Sequence, residues 1–436
     1  MTVGDDQGQA REHAKINRTV EALWRMESAK IIAKLSRMLR DVGLAEELAQ
    51  DALVGALEQW PRTGVPDNPG AWLMATAKNK AIDQLRRAKL IERKSELLAH
   101  DPDLLGDAGP SPEEAVDEDI SDDLLRLIFT ACHPVLSMEA RAALTLRLLG
   151  GLTGAEIARA FLTTEPTIQQ RIVRAKRTLA QARVPFEMPR AEERASRLAS
   201  VLEVIYLIFN EGYAATSGER WLRPELCEEA LRLGRILAQL MADESEVQGL
   251  VALMELQASR NRARIGLQGE PVLLLAQNRA LWDPLSICRG LAALDRANDL
   301  GGPLGPYALQ AAIAACHARA REAADTDWER IVALYDALAE VAPSPVVTLN
   351  RAVAVSMAYG SQVALPIVDS LREDTRLANY HLLPSVRGDL LEKLGRLDEA
   401  REEFARAASL TQNERERDLL LGRVAACERG QRSSIN

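Results

Sequence analysis

The segment from Leu152 to Arg183 constrains the fold of this chain more than any other, because it carries the start signals of two helices in quick succession. Thr153 and Glu156 have the spacing of a capping box, in which each side chain accepts a hydrogen bond from the other residue's backbone N–H. Thr164 can cap a second helix, with Pro166 in its first turn, where a missing N–H costs little. A connection of about three residues between the two predicts a helix-turn-helix.

The second helix of this pair is predicted to be apolar on one side and basic on the others. Ile168, Ile172, Ala175 and Leu179 recur at helical spacing and predict a buried stripe. The remaining faces offer groups that can hydrogen-bond base edges or phosphates, which predicts DNA binding. The predicted contact residues are Thr167, Gln169, Gln170, Arg171, Arg174, Lys176 and Arg177. The alternative is a surface helix hairpin whose arginines are simply solvated.

Charge is distributed unevenly, so the formal net charge of -9 is a poor guide to the partners of this chain. Between Thr76 and Lys94 there are seven basic and two acidic residues, whereas Asp101 to Asp123 contains ten acidic residues and no basic one. The first block suits nucleic acid. The second, rich in Pro and Gly, is predicted to be a solvated linker. A linker that competes with DNA for the basic faces is the alternative to a plain spacer.

The composition favours helices throughout. Aromatic residues make up 4% of the 436 residues, while Ala, Leu, Arg and Glu dominate, so we predict an all-α fold. The length indicates about two to four domains. Five dispersed cysteines without a C-x-x-C pair argue against a disulfide framework and favour a reducing compartment. With no signal peptide or membrane span predicted, we expect a cytoplasmic protein.

Four short motifs run through the helix-turn-helix segment. In chain order they are Gly151-Leu152, Glu156-Ile157-Ala158, Thr167-Ile168-Gln169-Gln170-Arg171 and Arg174-Ala175-Lys176. With these motifs the segment resembles the extracytoplasmic-function (ECF) sigma factors of RNA polymerase, which implies a domain that reads the minus-thirty-five promoter element. Leu162 stands where Gly is usual, at a cost on the order of 1 kcal/mol if that turn geometry is kept. Gln169 and Gln170 replace the usual pair, so no base preference is carried over.

Two further motifs lie nearer the N-terminus. GLAEELAQDALVGALEQW (Gly43 to Trp60) resembles the polymerase-binding helix of the same family, and PGAWLMATAKNKAIDQLRRAK (Pro69 to Lys89) resembles its minus-ten helix. The resemblance implies that the polymerase-binding residues are Glu47, Gln50 and Asp51. It implies that the DNA-binding residues of the second helix are Lys78, Asn79, Asp83, Arg86 and Arg87. Polar and basic groups along one face suit promoter melting, because unstacked bases and the backbone must be held together.

The chain beyond residue 189 carries further motifs: IFNEGYAATSGERWLRPELCEEALRLGR, ALWDPLSICRG, GPYALQAAIAACHARA and APSPVVTLNRAVAV. They resemble the subgroup of ECF sigma factors with a fused C-terminal extension. We interpret the distinctive Asn210 to Tyr213 motif as a packed turn. Near the C-terminus, five residues have the offsets of a tetratricopeptide repeat, in which small residues let two helices pack closely. They are Gly388, Gly395, Ala400, Phe404 and Ala407.

The predicted organisation has five parts. These are a sigma region-two domain at 10–98, an acidic linker at 99–123, a region-four helix-turn-helix domain at 124–186, a helical family-specific domain at 187–300 and tetratricopeptide-like repeats at 301–436. The sequence contains no catalytic motif, metal-ligand spacing or cofactor-binding motif, so we expect no enzyme activity, no metal and no cofactor.

The resemblance implies an alternative sigma factor. It would bind core RNA polymerase through the β′ and β subunits, direct initiation at specific promoters, and be regulated by or depend on its extension. The repeats would offer a docking surface for a protein or peptide partner. The alternative function is a DNA-tethered helical-repeat scaffold that binds partner proteins without acting in initiation.

Overall fold

The computed structural model describes residues 3–98, 120–161, 163–214, 217–218, 222–266 and 269–435. The predicted acidic linker therefore lies outside the described residues up to position 119, and so does Leu162. The described residues form eighteen α-helices, five short 3-10 turns and one pair of two-residue strands. The all-α prediction is confirmed. None of the described helices is long and apolar enough to cross a membrane.

The chain forms two compact units, Met1–Val204 and Ile205–Asn436, and the division falls inside one helix, α8. The helices up to and including α8 are α1 (Val3–Leu39), α2 (Val42–Thr63), α3 (Pro69–Leu98), α4 (Ile120–Ala131), α5 (Met138–Leu148), α6 (Gly154–Ala160), α7 (Glu165–Gln181) and α8 (Ala191–Tyr213).

A stripe of alanines lets α2 pack closely on α1. Small side chains three or four residues apart lie on one face of a helix and allow two backbones to approach. Asp41 fixes where α2 begins, because its Oδ1 accepts hydrogen bonds from the backbone N–H groups of Gly43 and Leu44 at 2.8 and 3.1 Å. The fully buried residues of the stripe are Ala45, Ala49, Ala52 and Ala56.

The helix α4 begins earlier than the sequence predicted. Residues 120–123, which were assigned to the acidic linker, form its first turn. Carboxylate oxygens of Asp122 and Asp123 lie 3.7 and 2.9 Å from the guanidinium nitrogens of Arg126, and acidic residues also stabilise a helix N-terminus through the helix dipole. Counting charge alone therefore assigned too many residues to the linker.

The first half of α8 is packed within the first unit, although the sequence-based boundary at 186/187 precedes it. Arg197 donates to the carbonyl oxygen of Phe129 at 2.8 Å, and the Ser200 hydroxyl donates to that of Cys132 at 2.7 Å. Val201 is fully buried. A chain cut at the predicted boundary would lose these contacts.

The second unit continues with ten more helices and the strand pair. The strands β1 (Ser217–Gly218) and β2 (Gln412–Asn413) run parallel, and the composition gave no sign of them. The helices are α9 (Pro224–Leu240), α10 (Ser245–Ala258), α11 (Pro284–Asp299), α12 (Pro306–Arg319), α13 (Trp328–Val341), α14 (Pro345–Tyr359), α15 (Ser361–Asp369), α16 (Leu382–Lys393), α17 (Leu397–Leu410) and α18 (Glu414–Ile435).

The Asn210 to Tyr213 motif forms the last turn of α8, not a separate turn between helices. A Cβ added at Gly212 would lie 2.6 Å from the backbone nitrogen of Cys227, so only glycine lets α9 approach. The guanidinium carbon of Arg264 lies 3.6 Å from the centroid of the Tyr213 ring, a cation–π contact. The motif therefore anchors the end of α8 to the helices that follow.

Consecutive helices from α12 to α18 pack against one another in chain order. One apolar cluster runs through them, from Leu309 in α12 to Cys427 in α18. Gly360 and Gly395, about one repeat apart, both have positive φ, of 95° and 76°, in the turns before α15 and α17. Packing between sequence neighbours is typical of helical repeats.

The close packing predicted for the last repeat is present between α16 and α17. A Cβ added at Gly388 would lie 2.8 Å from Cε1 of Phe404, whose side chain is buried. Ala400 and Ala407 on the same face of α17 are fully buried. Gly388 is therefore kept small by contact with an aromatic ring.

Gly388→Ala is expected to lower the free energy of unfolding by about 1–3 kcal/mol, because the added methyl group overpacks the contact with Phe404. Gly422→Ala in α18 is the matched control. Nothing lies within 4 Å of a Cβ at that position, so this change should stabilise the helix by about 0.5–1 kcal/mol. Urea unfolding followed by far-ultraviolet circular dichroism measures both. Equal effects would contradict the close packing.

Candidate nucleic-acid interface

The capping signals of the helix-turn-helix are confirmed. Thr153 and Glu156 form the reciprocal capping box, with Thr153 Oγ1 accepting from the Glu156 N–H at 3.2 Å and Glu156 Oε2 accepting from the Thr153 N–H at 2.8 Å. Thr164 caps α7 by accepting from the N–H of Thr167 at 3.4 Å. The predicted apolar stripe of α7 is buried throughout. These contacts set which side chains of α7 face outward.

The structure brings four of the seven residues predicted to bind DNA on α7 to one cavity of about 410 Å³. The opposite wall comes from the connection between α4 and α5 and the start of α5, including Ser137 and Glu139. The four α7 residues are Thr167, Gln170, Arg171 and Arg174. A surface with hydroxyl, amide and guanidinium groups can bind both phosphates and base edges.

Glu139 sets the charge at the edge of this cavity. Its pKa is lowered from the usual value by the backbone N–H at the start of α5, then by the Ser137 hydroxyl and by the nearby Arg171 guanidinium, against the opposing effect of burial. The carboxylate is therefore ionised near neutral pH and attracts the nearby Arg171 guanidinium.

Gln169, Arg177 and Lys176 lie apart from these four residues. Gln169 is exposed, with its side-chain amide directly over Gly154, where an added Cβ would collide with it. Arg177 is exposed on the outer face of α7. Lys176 points to the other side and pairs with Glu46 of α2, so the α7 predictions divide between two surfaces.

Glu46 is a buried carboxylate shared by several partners. Its side chain is 4% exposed, and its Oε1 accepts from Arg147 Nε of α5 at 2.6 Å. Lys176 of α7 pairs with its second oxygen. Gln50, which the sequence assigned to polymerase binding, donates its side-chain amide to the same carboxylate. Glu46 thus contacts one residue predicted to bind DNA, Lys176, and one predicted to bind polymerase, Gln50.

The remaining predicted residues on α2 and α3 lie at the surface, except for the partly buried Lys78. Glu47 and Asp51 are exposed on α2, and Asp51 Oδ2 lies 3.8 Å from Nζ of Lys80 on α3. On α3, Lys78 is half-buried, and Asp83 lies 3.8 Å from Arg86 within the same helix. Among the residues of α3 predicted to bind DNA, the exposed ones are Asn79, Asp83, Arg86 and Arg87.

A second buried carboxylate, Asp123, was missed because the sequence counted it with the linker. Lys34 and Arg37 of α1 lie 3.8 and 3.6 Å from its carboxylate oxygens. Its side chain is 1% exposed. Burial raises the pKa of this carboxyl, and the neighbouring Arg37, Lys34 and Arg126 cations only partly offset that effect. An acid in a charged run gives no sequence signal that it will be buried.

A third contact joins α1 to the helix-turn-helix. Arg25 Nη2 lies 2.5 Å from Oε1 of the capping residue Glu156. Gly151, in the turn before α6, has a φ of 64°, and a Cβ there would lie 2.9 Å from the Ser28 hydroxyl. Glycine at this point therefore permits the turn to sit against α1.

Comparison with known proteins gives three family matches. Residues 23–91 match the model described as Sigma-70 region 2, and residues 126–179 match Sigma-70, region 4. Residues 197–298 match a family of unknown function, DUF6596.

Similar proteins cover different shares of the chain. An uncharacterised protein of Rhizobium meliloti (strain 1021) is 46% identical over 383 residues, which are 87% of this chain and 89% of that protein. The ECF RNA polymerase sigma factor SigK of Mycobacterium ulcerans is 30% identical over 34% of this chain and 78% of its own length. The probable ECF RNA polymerase sigma factor SigI of Mycobacterium tuberculosis is 28% identical over 40% of this chain, and the match spans 59% of SigI.

An all-α pair of domains, one of them a capped helix-turn-helix, together with these matches defines a sigma-type transcription initiation factor. The chain belongs to the ECF sigma factors, in the subgroup with a fused C-terminal helical extension. Members of this family are not enzymes, and they bind core RNA polymerase and promoter DNA.

Glu46→Ala is expected to lower the free energy of unfolding by about 3–5 kcal/mol, since it leaves the Arg147 and Lys176 charges without their buried partner. Glu47→Ala, at the exposed neighbouring position, is the control and should change stability by no more than about 0.5 kcal/mol. Chemical denaturation of the full chain measures both. A loss no greater than that of the control would rule out the proposed importance of the Glu46 contact.

Proposed function

We propose that the chain binds core RNA polymerase through α2, melts the minus-ten element with α3 and reads the minus-thirty-five element with α7. The observation that carries this proposal is the cavity shared by four residues of α7, which are Thr167, Gln170, Arg171 and Arg174. The opposite side of α7 is buried, so the cavity lies on the side of the helix that DNA can reach. Family membership favours this function over that of a DNA-tethered scaffold that plays no part in initiation.

The α7 cavity has the chemistry of a DNA contact near the start of a recognition helix. Arg171 and Arg174 can each bind a phosphate or the major-groove edge of guanine, and Gln170 can bind adenine. Glu139 is close enough to Arg171 to attract its charge, so it would act as a positioning residue. Lys176 would contribute only after leaving Glu46, and we assign it the weakest role among the seven.

The exposed face of α3 suits unstacked DNA. Asn79, Asp83, Arg86 and Arg87 follow one another at intervals of four, three and one residues, so they lie along one side of the helix. The two arginines can neutralise backbone phosphates, while the amide of Asn79 can hydrogen-bond an unpaired base. Asp83 lies beside Arg86 and would hold it in place.

The exposed carboxylates of α2 suit a basic surface on polymerase. Glu47 and Asp51 are four residues apart and both exposed, so they share one face. Charge complementarity of this kind steers association and favours the correct partner. The side-chain amide of Gln50 donates to Glu46, so Gln50 would mainly support this face through that hydrogen bond.

We assign the extension a regulatory role, in which initiation depends on or is controlled by the second unit. Helices packed as repeats offer a continuous surface on which a protein or peptide partner can dock. The unit is joined to the sigma domains by α8, whose first half packs against α4 through Arg197 and Ser200. The protein would act in the cytoplasm together with polymerase.

Asp51→Ala and Arg171→Ala separate the two proposed activities. Asp51→Ala should weaken binding to core polymerase by removing an exposed charge from α2. Arg171→Ala should leave polymerase binding unchanged and weaken promoter binding by about 1–3 kcal/mol at constant salt. Polymerase pull-down affinity, promoter binding by the reconstituted holoenzyme and run-off transcription give the three readouts. Arg194→Ala, an exposed arginine of α8, is the control.

DNA binding by the wild-type chain without promoter-dependent initiation would contradict the proposed function and support the scaffold alternative. Unchanged promoter affinity for Arg171→Ala would contradict only the role of that residue.

Truncation after Val204 tests the extension. The division between the units falls at this residue, so the remaining chain keeps Ser200 and Val201. We expect run-off transcription to change by about fivefold or more, corresponding to roughly 1 kcal/mol, because the second unit controls initiation. Truncation after Pro189 is the control for stability and should unfold at lower urea concentration, since it exposes the core beneath α8. Unaltered transcription by the chain ending at Val204 would contradict a regulatory extension.

A further inference from the structure

A cleft of about 720 Å³ lies within the first unit, between the end of α1, the start of α2 and the end of α7. Its lining is strongly basic, with only two acidic residues, Asp41 and Glu187. The basic residues are Arg37, Arg40, Arg126, Lys176 and Arg183. Neither the proposed polymerase contacts nor the α7 cavity uses this cleft as a whole.

The five cations of the cleft are not equivalent. Arg37 and Arg126 pair with Asp123, and Lys176 pairs with Glu46. Arg40 and Arg183 are exposed, and within the described ranges no carboxylate forms an ion pair with either guanidinium. Asp41 is engaged at the start of α2, where it accepts two backbone N–H groups. The cleft therefore offers two guanidinium groups that can take a ligand.

Arg40 and Arg183 also share an uncommon backbone conformation. Their φ angles are 55° and 49°, and among the described residues they are the non-glycine positions with positive φ. Each follows a helix, and the Arg40 N–H donates to the Ser36 carbonyl at 2.8 Å. Glycine or asparagine usually holds this position after a helix, because a longer side chain disfavours it. Because this conformation disfavours arginine, finding arginine at both positions on one cleft indicates that the guanidinium groups have a function there.

We propose that this cleft binds a small phosphorylated anion of nucleotide size. The volume lies within the range of small-molecule sites. The planar fork of arginine matches phosphate oxygens through two parallel hydrogen bonds. An apolar wall for the uncharged part of the ligand comes from Leu179, Val184, Phe186 and Met188.

The ligand bridges the two halves of the first unit. Arg40 follows α1, whereas Arg183 follows α7 of the helix-turn-helix domain. A ligand held by both stabilises the folded first unit, by an amount that grows with the ratio of ligand concentration to its dissociation constant. Because the ligand is an anion, it lowers the positive potential around Lys176, which lines the same cleft.

Isothermal titration of the full chain with pyrophosphate, ADP and adenosine, at fixed ionic strength, tests the site. Saturable binding of pyrophosphate and tighter binding of ADP are expected, with adenosine at least tenfold weaker than ADP, a difference of about 1.4 kcal/mol. Arg40→Asn/Arg183→Asn should weaken ADP binding by about tenfold or more. Asparagine is chosen because it tolerates positive φ.

The matched control is Arg159→Asn/Arg194→Asn, which removes the same charge from exposed positions outside the cleft. Its ADP affinity should equal that of the wild-type chain. Equal weakening in both double variants would show nonspecific attraction and overturn the proposal, as would the absence of saturable binding. Loss of duplex DNA binding without loss of ADP binding would assign the cleft to DNA phosphates instead.

Hydrogen exchange of the wild-type chain gives a measurement that needs no variant. ADP should slow exchange at residues 37–43 and 176–188, which line the cleft. Protection confined to other segments would overturn the proposal even if the double variant does not fold.

Discussion

The buried carboxylate of Glu46 is the contact on which the arrangement of the first unit depends. It holds Arg147 of α5 and Lys176 of α7, both from the helix-turn-helix side, on one residue of α2. Asp123 of α4 is the reverse case, because it holds Lys34 and Arg37 of α1. Each half of the unit therefore supplies one buried carboxylate to cations of the other. Removing the cations of either pair would leave a carboxylate buried without a partner, which costs several kcal/mol.

The pairing of Lys176 with Glu46 separates the basic residues of α7 into two groups. Lys176 has its charge matched inside the protein, whereas Arg171 and Arg174 border an open cavity. A phosphate can attract Lys176 only in competition with Glu46. If α7 binds the promoter as proposed, a phosphate contact by Lys176 would therefore oppose the packing of the two halves.

Local features of this fold could be predicted from the sequence because their causes lie within a few residues of chain. The capping box of Thr153 and Glu156, and the close approach at Gly388, depend on helix starts and helix faces. The pairing of Glu46 with Arg147 joins residues 101 positions apart, and nothing near either residue specifies the other. Asp123 was assigned to the linker since its sequence neighbours are acidic, although its spatial neighbours are basic. The positive φ of Arg40 and Arg183 also has no local signal, because arginine is not a residue that favours it.

The first unit and the extension meet within one helix, α8. The helix α8 is continuous from Ala191 to Tyr213, but its contacts change along its length. Arg197 and Ser200 bond to α4 and the residue after it, while Tyr206 packs edge-to-face on Tyr307 of α12 with ring centroids 5.4 Å apart. The two sets of contacts are thus made by different parts of one continuous helix. The proposed regulatory role of the extension therefore predicts that changes along α8 alter initiation, because both units share this helix.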